Sequence, residues 1–213
     1  MKASTFDLET SPQPDFFSLA LEAARARAEA RGEAPEGIDE EAVRGEMSLS
    51  PLWGRIVAVG LLDVDSKEQM IWASEDEREI LTAFWGAVEQ TELFIGYNSL
   101  GFDLPWLTLR SAVLGVQPTV RISQARYRQP GDSNHLDLFA WLTDWRGNRT
   151  KHLKLDLSTV ARVLGVEPPV GDGSEVPTLF EAGDFETIRQ HLASDLKATL
   201  GVWRALGSPG RRD

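Results

Sequence analysis

The order of apolar segments predicts an α/β fold with a mixed central sheet flanked by helices. Strand-like stretches come first, and helix and strand patterns then alternate along the chain. With 213 residues and 42% hydrophobic content, the chain is long enough to bury a sizeable core. Residues 1–213 are therefore expected to form a single domain, carrying a charged helical insertion at about 15–47.

The opening strand is Thr5-Phe6-Asp7-Leu8-Glu9-Thr10. Asp15 is placed to cap an Ala/Glu/Arg-rich helix running to about Arg31, which Gly32 and Pro35 end, and a second acidic helix covers Asp39 to Met47. Their strong charge predicts that these helices decorate the core instead of forming it. Arg55 to Val64 reads as a buried strand and Gln69 to Ala73 as its hairpin partner, turning at Asp65-Ser66-Lys67. Three antiparallel strands result if the opening strand joins them. Ile80, Leu81, Phe84, Trp85 and Val88 give helical spacing from Glu75 to about Gln90. A strand from Leu93 to Asn98 follows, and Gly101-Phe102-Asp103-Leu104-Pro105 opens another helix, since proline is tolerated in a first turn. Further helices are expected around Leu136 to Leu142 and Leu155 to Leu164. The Pro/Gly-rich stretch from Gly165 to Gly183 reads as irregular, and a last helix runs from about Asp184 to Leu206.

Composition narrows the chemistry. No apolar run approaches the roughly 18 residues needed to span a bilayer, and the amino terminus does not look like a signal segment, so the chain reads as cytoplasmic with no membrane partner. Without cysteine there is no thiolate site, and any metal must be held by oxygen or imidazole, which favours magnesium or manganese. The net charge of -11 argues against holding nucleic acid by bulk electrostatics. The segment from Arg121 to Lys154 differs: seven basic side chains (Arg121, Arg126, Arg128, Arg146, Arg149, Lys151, Lys154) stand against three acids (Asp132, Asp137, Asp144). It is either a solvated loop or a rim that contacts phosphates.

Asp7 and Glu9 alternate along a strand and so share a face. Two neighbouring carboxylates repel each other and lose hydration, a cost that a divalent cation offsets. Alone, the pair also fits an acidic strand end. Asp103 follows a strand end at the mouth of a helix, where α/β sheets present side chains to a crevice, although it also fits a plain helix N-terminal charge. Asn98, five residues earlier, could fix the turn. In the last helix Ile188, Leu192, Leu196, Thr199, Trp203 and Leu206 form one stripe, and His191 and Asp195, four apart, lie along its edge. By themselves they also fit a common surface helix pair.

Together, Phe6-Asp7-Leu8-Glu9-Thr10, Tyr97-Asn98-Ser99-Leu100-Gly101-Phe102-Asp103 and His191-Leu192-Ala193-Ser194-Asp195 resemble the three motifs of the DEDD superfamily of DnaQ-like 3'-5' exonucleases. Pro51-Leu52-Trp53-Gly54-Arg55-Ile56-Val57, Leu136-Asp137-Leu138 and Leu155-Asp156-Leu157 are similar to the branch of predicted exonucleases related to the proofreading domain of family B DNA polymerases. The resemblance implies an RNase H-like fold and a two-metal mechanism, with Asp7, Glu9, Asp103 and Asp195 holding two Mg2+ or Mn2+ ions about 3.5 to 4 Å apart. These would position the attacking water and stabilise the leaving 3' oxygen, releasing nucleoside 5'-monophosphates. One departure concerns the residue that orients or deprotonates the water. The superfamily has a tyrosine four positions before the last aspartate, or a histidine five before it, whereas here His191 takes the four-residue spacing.

The resemblance also places Leu8, Thr10, Asn98 and Phe102 beside the substrate, although Leu8 and Phe102 fit core positions equally well. Arg146, Arg149 and Lys151 in the basic loop are candidate phosphate contacts. The expected substrate is a single-stranded DNA 3' end. RNA remains an alternative, as does a non-catalytic binding module of the same fold.

Overall fold

The computed structural model describes residues 1–125, 133–144 and 155–211. Its centre is a five-stranded sheet in the order β3-β2-β1-β4-β5, formed by β1 (Ala3–Pro12), β2 (Gly54–Asp63), β3 (Gln69–Ala73), β4 (Leu93–Gly96) and β5 (His135–Asp137). The first three strands are antiparallel, as the hairpin pattern predicts, while β4 and β5 run parallel to β1. Asp63 tightens the β2–β3 turn by accepting hydrogen bonds from the backbone N–H of Asp65 (2.9 Å) and of Ser66 (2.8 Å).

Helices cover both faces: α1 (Phe17–Ala30), α2 (Glu40–Met47), α3 (Glu77–Ala87), α4 (Asp103–Leu114), α5 (Leu138–Leu142), α6 (Leu157–Val163), α7 (Val176–Glu181) and α8 (Phe185–Ala205). On one face Phe6, Leu8 and Ile56 pack with Ile80, Phe84 and Trp106 from α3 and α4. On the other, Leu62 and Ile95 pack with Leu196 and Trp203 of α8. Helices α1 and α2 make their own small core from Ala20, Ala24, Val43 and Met47. Burying this much apolar surface is the main stabilising term.

Three local expectations are corrected. Asp15 does not cap α1, because Pro14 starts a 3-10 turn over Pro14–Phe16 and the helix begins after it without a side-chain cap. The segment 136–142 is not one helix: Leu136 and Asp137 end β5, and Asp137 then caps α5 through Ala140 N–H. Within 165–183 lie a 3-10 turn (Gly173–Glu175) and α7, too short for a readable period. Among the described residues, no helix is long and apolar enough to cross a membrane.

Candidate active site

The sheet topology brings the acids together. Strand β4 pairs with β1 only along Ala3–Thr5, so Asp7 and Glu9 stand beyond the end of β4. Helix α4 starts just after that end, with Asp103 as its first residue. A crevice at the carboxyl ends of parallel strands is where α/β sheets commonly bind ligands. Thr5, Asp7 and Glu9 point to the α8 face, where the Thr5 hydroxyl donates to Leu196 C=O at 3.2 Å. Gly60, paired with Asp7, permits this approach, since a Cβ there would lie 2.7 Å from the Leu196 side chain. Asp195, next to Leu196, is thereby drawn over the acidic strand.

The electrostatics follow from this convergence. Burial, then the charges of Asp103, Asp195 and Glu9, raises Asp7 well above the usual carboxylate range, and its side-chain hydrogen bond with Asp103 raises it further. Burial and the charges of Asp195 and Asp103 push Glu9 up to about 8. Burial takes Asp103 and Asp195 to about 7. For Asp103 the hydrogen bond from Asp7 and the backbone N–H of Leu8 work in the opposite direction. Asp103 is 2% exposed, and its Oδ1 is buried without a hydrogen-bond partner.

Among the described residues, no three acidic or imidazole groups form a ready-made metal cage. The donor set itself consists of hard carboxylate oxygens, one of them orphaned, which suits Mg2+ or Mn2+. Asp7, Glu9, Asp103 and Asp195 are the residues that could hold such an ion.

His191 is 8% exposed, its Nδ1 has no partner, and its ring lies under the backbone of Gly171. Its charge acts on Asp172 and Asp184 and does not figure among the influences on the four acids. Leu8 belongs to the core, at 4% exposure. Thr10 donates to Ser48 C=O at 2.5 Å, tying β1 to the end of the insertion. Asn98 is exposed, in a left-handed turn at φ 60°. Phe102 is half-buried against Trp106, ring centroids 5.8 Å apart. Arg146, Arg149 and Lys151 lie outside the described residues.

Two residues without a role in the sequence reading support the crevice from behind. Asp137 accepts hydrogen bonds from Asn98 N–H (3.0 Å), Leu100 N–H (2.8 Å) and Ala140 N–H (3.1 Å). His135 Nε2 lies 2.8 Å from Ser99 Oγ, while its Nδ1 lies 3.0 Å from Ser123 C=O. Burial holds this imidazole down at about 4, and the neutral ring accepts from the hydroxyl. Residues 98, 99 and 100 are thus gripped one after another by β5, which ties down the turn that delivers Asp103. The Leu136-Asp137-Leu138 motif carried the signal, but only pairing with β4 gives it meaning.

A family model of predicted 3'-5' exonucleases related to the exonuclease domain of PolB matches residues 49–207. The chain belongs to this family. The match begins after Asp7 and Glu9 and after the helical insertion. Among solved structures, the family B DNA polymerase from the hyperthermophilic archaeon Pyrobaculum calidifontis is similar, with a TM-score of 0.66 and 19% identity over 97% of this chain. The chain spans 24% of the polymerase's length. At this identity the likeness establishes the fold, an RNase H-like α/β domain. No curated protein matches the chain.

Proposed function

We propose that the protein is a metal-dependent 3'-5' exonuclease that hydrolyses terminal phosphodiesters of single-stranded DNA and releases nucleoside 5'-monophosphates. The observation that carries this reading is the burial of Asp7, Glu9, Asp103 and Asp195, acids drawn from both ends and the middle of the chain, close enough that the charges of Asp103 and Asp195 raise both Asp7 and Glu9. Membership in a family of predicted 3'-5' exonucleases supports it.

Two Mg2+ or Mn2+ ions, when bound, would supply an activated water and stabilise the leaving oxygen. Asp7, Glu9, Asp103 and Asp195 are the residues that would hold these ions, Asp103 through its unpartnered Oδ1. His191 is assigned the proton of the water, for which its ring must turn from Gly171 towards the acids. Asp137 and His135 keep the Asp103 turn in place.

The test is a gel assay of 3'-labelled and 5'-labelled single- and double-stranded DNA and RNA with manganese. Shortening of single-stranded DNA from its 3' end, absent in Asp7→Ala, is the expected result. No degradation with either manganese or magnesium would overturn the reading, and faster loss of RNA would move the substrate to RNA.

A further inference from the structure

Between α6 and the 3-10 turn at Gly173–Glu175 the chain runs without regular structure from Gly165 to Asp172. It lies along α8 against the direction of the helix: Val166 sits on Gly201, Val170 on Ser194 and Gly171 on His191. We propose that this strap is a latch on the active site, that Ser194 holds it closed over His191, and that His191 reaches the acids only when the strap lifts. Ser194 is then a positioning residue, acting through His191. The proposal rests on the exonuclease reading, in which His191 takes the proton of the water.

His191 is disengaged while the strap is closed. Its charge acts on Asp172 of the strap and on Asp184, and is absent from the influences on Asp7, Glu9, Asp103 and Asp195. Its Nδ1 is buried with no partner. A buried polar atom left unpaired disfavours the arrangement that buries it, so the histidine itself does nothing to keep the strap down. The fastening lies elsewhere and is slight. Ser194 Oγ accepts from Val170 N–H at 3.0 Å, and its one proton has a shorter reach to His191 C=O (2.8 Å) than to Val170 C=O (3.3 Å). One firm hydrogen bond therefore ties the strap beside the ring. The other anchor is the Val166 side chain, which rests where a Cβ on Gly201 would stand.

The strap is also built to move as a piece. Gly165, at φ +70°, and Gly171, at φ +90°, stand near its two ends, where glycine tolerates backbone rotation that other residues resist. Between them Pro168 and Pro169 fix their own φ and stiffen the chain. Gly165, Glu167, Val170, Gly171 and Asp172 are exposed. A segment with so few buried contacts opens at low cost.

The experiment times the acylation of His191 by diethyl pyrocarbonate, which attacks an accessible neutral imidazole, in the full chain without metal. Trypsin releases this histidine in the peptide Gln190–Lys197, apart from His135 and His152. Ser194→Ala is expected to speed acylation of His191 about two- to tenfold, the factor for one lost hydrogen bond, and Ser194→Thr, which keeps a hydroxyl, to stay near the wild-type rate. Val166→Ala, which weakens the second anchor, is expected to act in the same direction. Thermal melts confirm folding, and buried His135 is the internal reference. Single-turnover hydrolysis with manganese is expected to rise by a similar factor in Ser194→Ala, and the gain to vanish when His191→Ala is added. Equal acylation in wild type and Ser194→Ala, an equal rise at His135, or faster acylation with no gain over an active wild type overturns the latch. Faster acylation of His191 in a protein that hydrolyses nothing upholds the strap as its cover and sinks the exonuclease reading instead.

Discussion

Gly171 rests directly on His191: a Cβ at Gly171, whose φ is +90°, would lie 2.2 Å from His191 Nε2. Val170 fixes the contact, its N–H donating to Ser194 Oγ at 3.0 Å while that hydroxyl lies 3.3 Å from Val170 C=O. The histidine thus faces a Gly/Pro-rich strap, and Asp195 lies one turn further along the same helix.

Replacing His191 by Ala is expected to slow hydrolysis by roughly 10²- to 10⁴-fold if it acts as general base. Single-turnover rates with manganese measure this, and a loss below about threefold would demote it to a packing residue. Gly171→Ala is expected to lower stability by about 1–3 kcal/mol, because it combines a strained backbone with the clash on the ring. A denaturant midpoint equal to that of the wild type would contradict the contact.

The raised carboxyl groups of the crevice predict how stability depends on pH. The crevice acids are raised in the folded state, so between about pH 4 and pH 8 the native protein keeps protons that the unfolded chain has released. Stability without metal therefore falls as pH rises through that window. The penalty is absent below the unfolded pKa and complete above the folded one. Urea titrations in EDTA at pH 5 and pH 8 read the slope, which Asp103→Asn should flatten. An identical slope in that variant would exclude the acids as its source.

Asp7→Ala is expected to abolish hydrolysis while leaving the metal-free protein as stable as the wild type, or more so at pH 8, since one of the repelling charges is gone. Manganese should raise the Tm of the wild type and have little effect on the variant. Unchanged turnover in Asp7→Ala would rule out this crevice.

Asp137→Ala removes the acceptor of three backbone N–H groups and is expected to cost about 2–4 kcal/mol. At temperatures where the variant stays folded, kcat should fall with KM nearly unchanged, because Asp103 is misplaced while the rest of the crevice is intact. A rise in KM alone would place the residue at the substrate.

Glu77 and Arg110 form an ion pair at 2.7 Å, both almost fully buried, and Glu77 also accepts from Ile56 N–H at 2.8 Å. Glu77→Ala strands a buried guanidinium and is expected to destabilise the fold by roughly 3–5 kcal/mol. A melting curve unchanged by this substitution would contradict the pair's role in joining α3, α4 and β2.

The legible part of the site was local or periodic. Asp7 and Glu9 share a face by alternation, and Asp195 follows His191 by one helical turn. Asp103 marks a strand-to-helix junction. These relationships need only backbone geometry. Strand β5 escaped because three residues have no period, and its Asp137 acts through a neighbouring strand. The α1 start was misread because Pro14 sets the turn before Asp15 can cap. The placement of Gly171 on His191 joins a loop to a distant helix turn, and no spacing rule encodes such a contact.

The register of β1 against β2 breaks between Glu9 and Thr10, and just past the break Thr10 is bonded to Ser48 at the insertion's end. The regular ladder dictates where Asp7 stands, whereas Glu9 sits at the break, next to the residue bonded to the insertion's end. Exchange of residues 13–49 for a different connection would therefore shift one carboxylate and leave the other anchored. In this architecture the spacing of the two carboxylates can be retuned from outside the sheet.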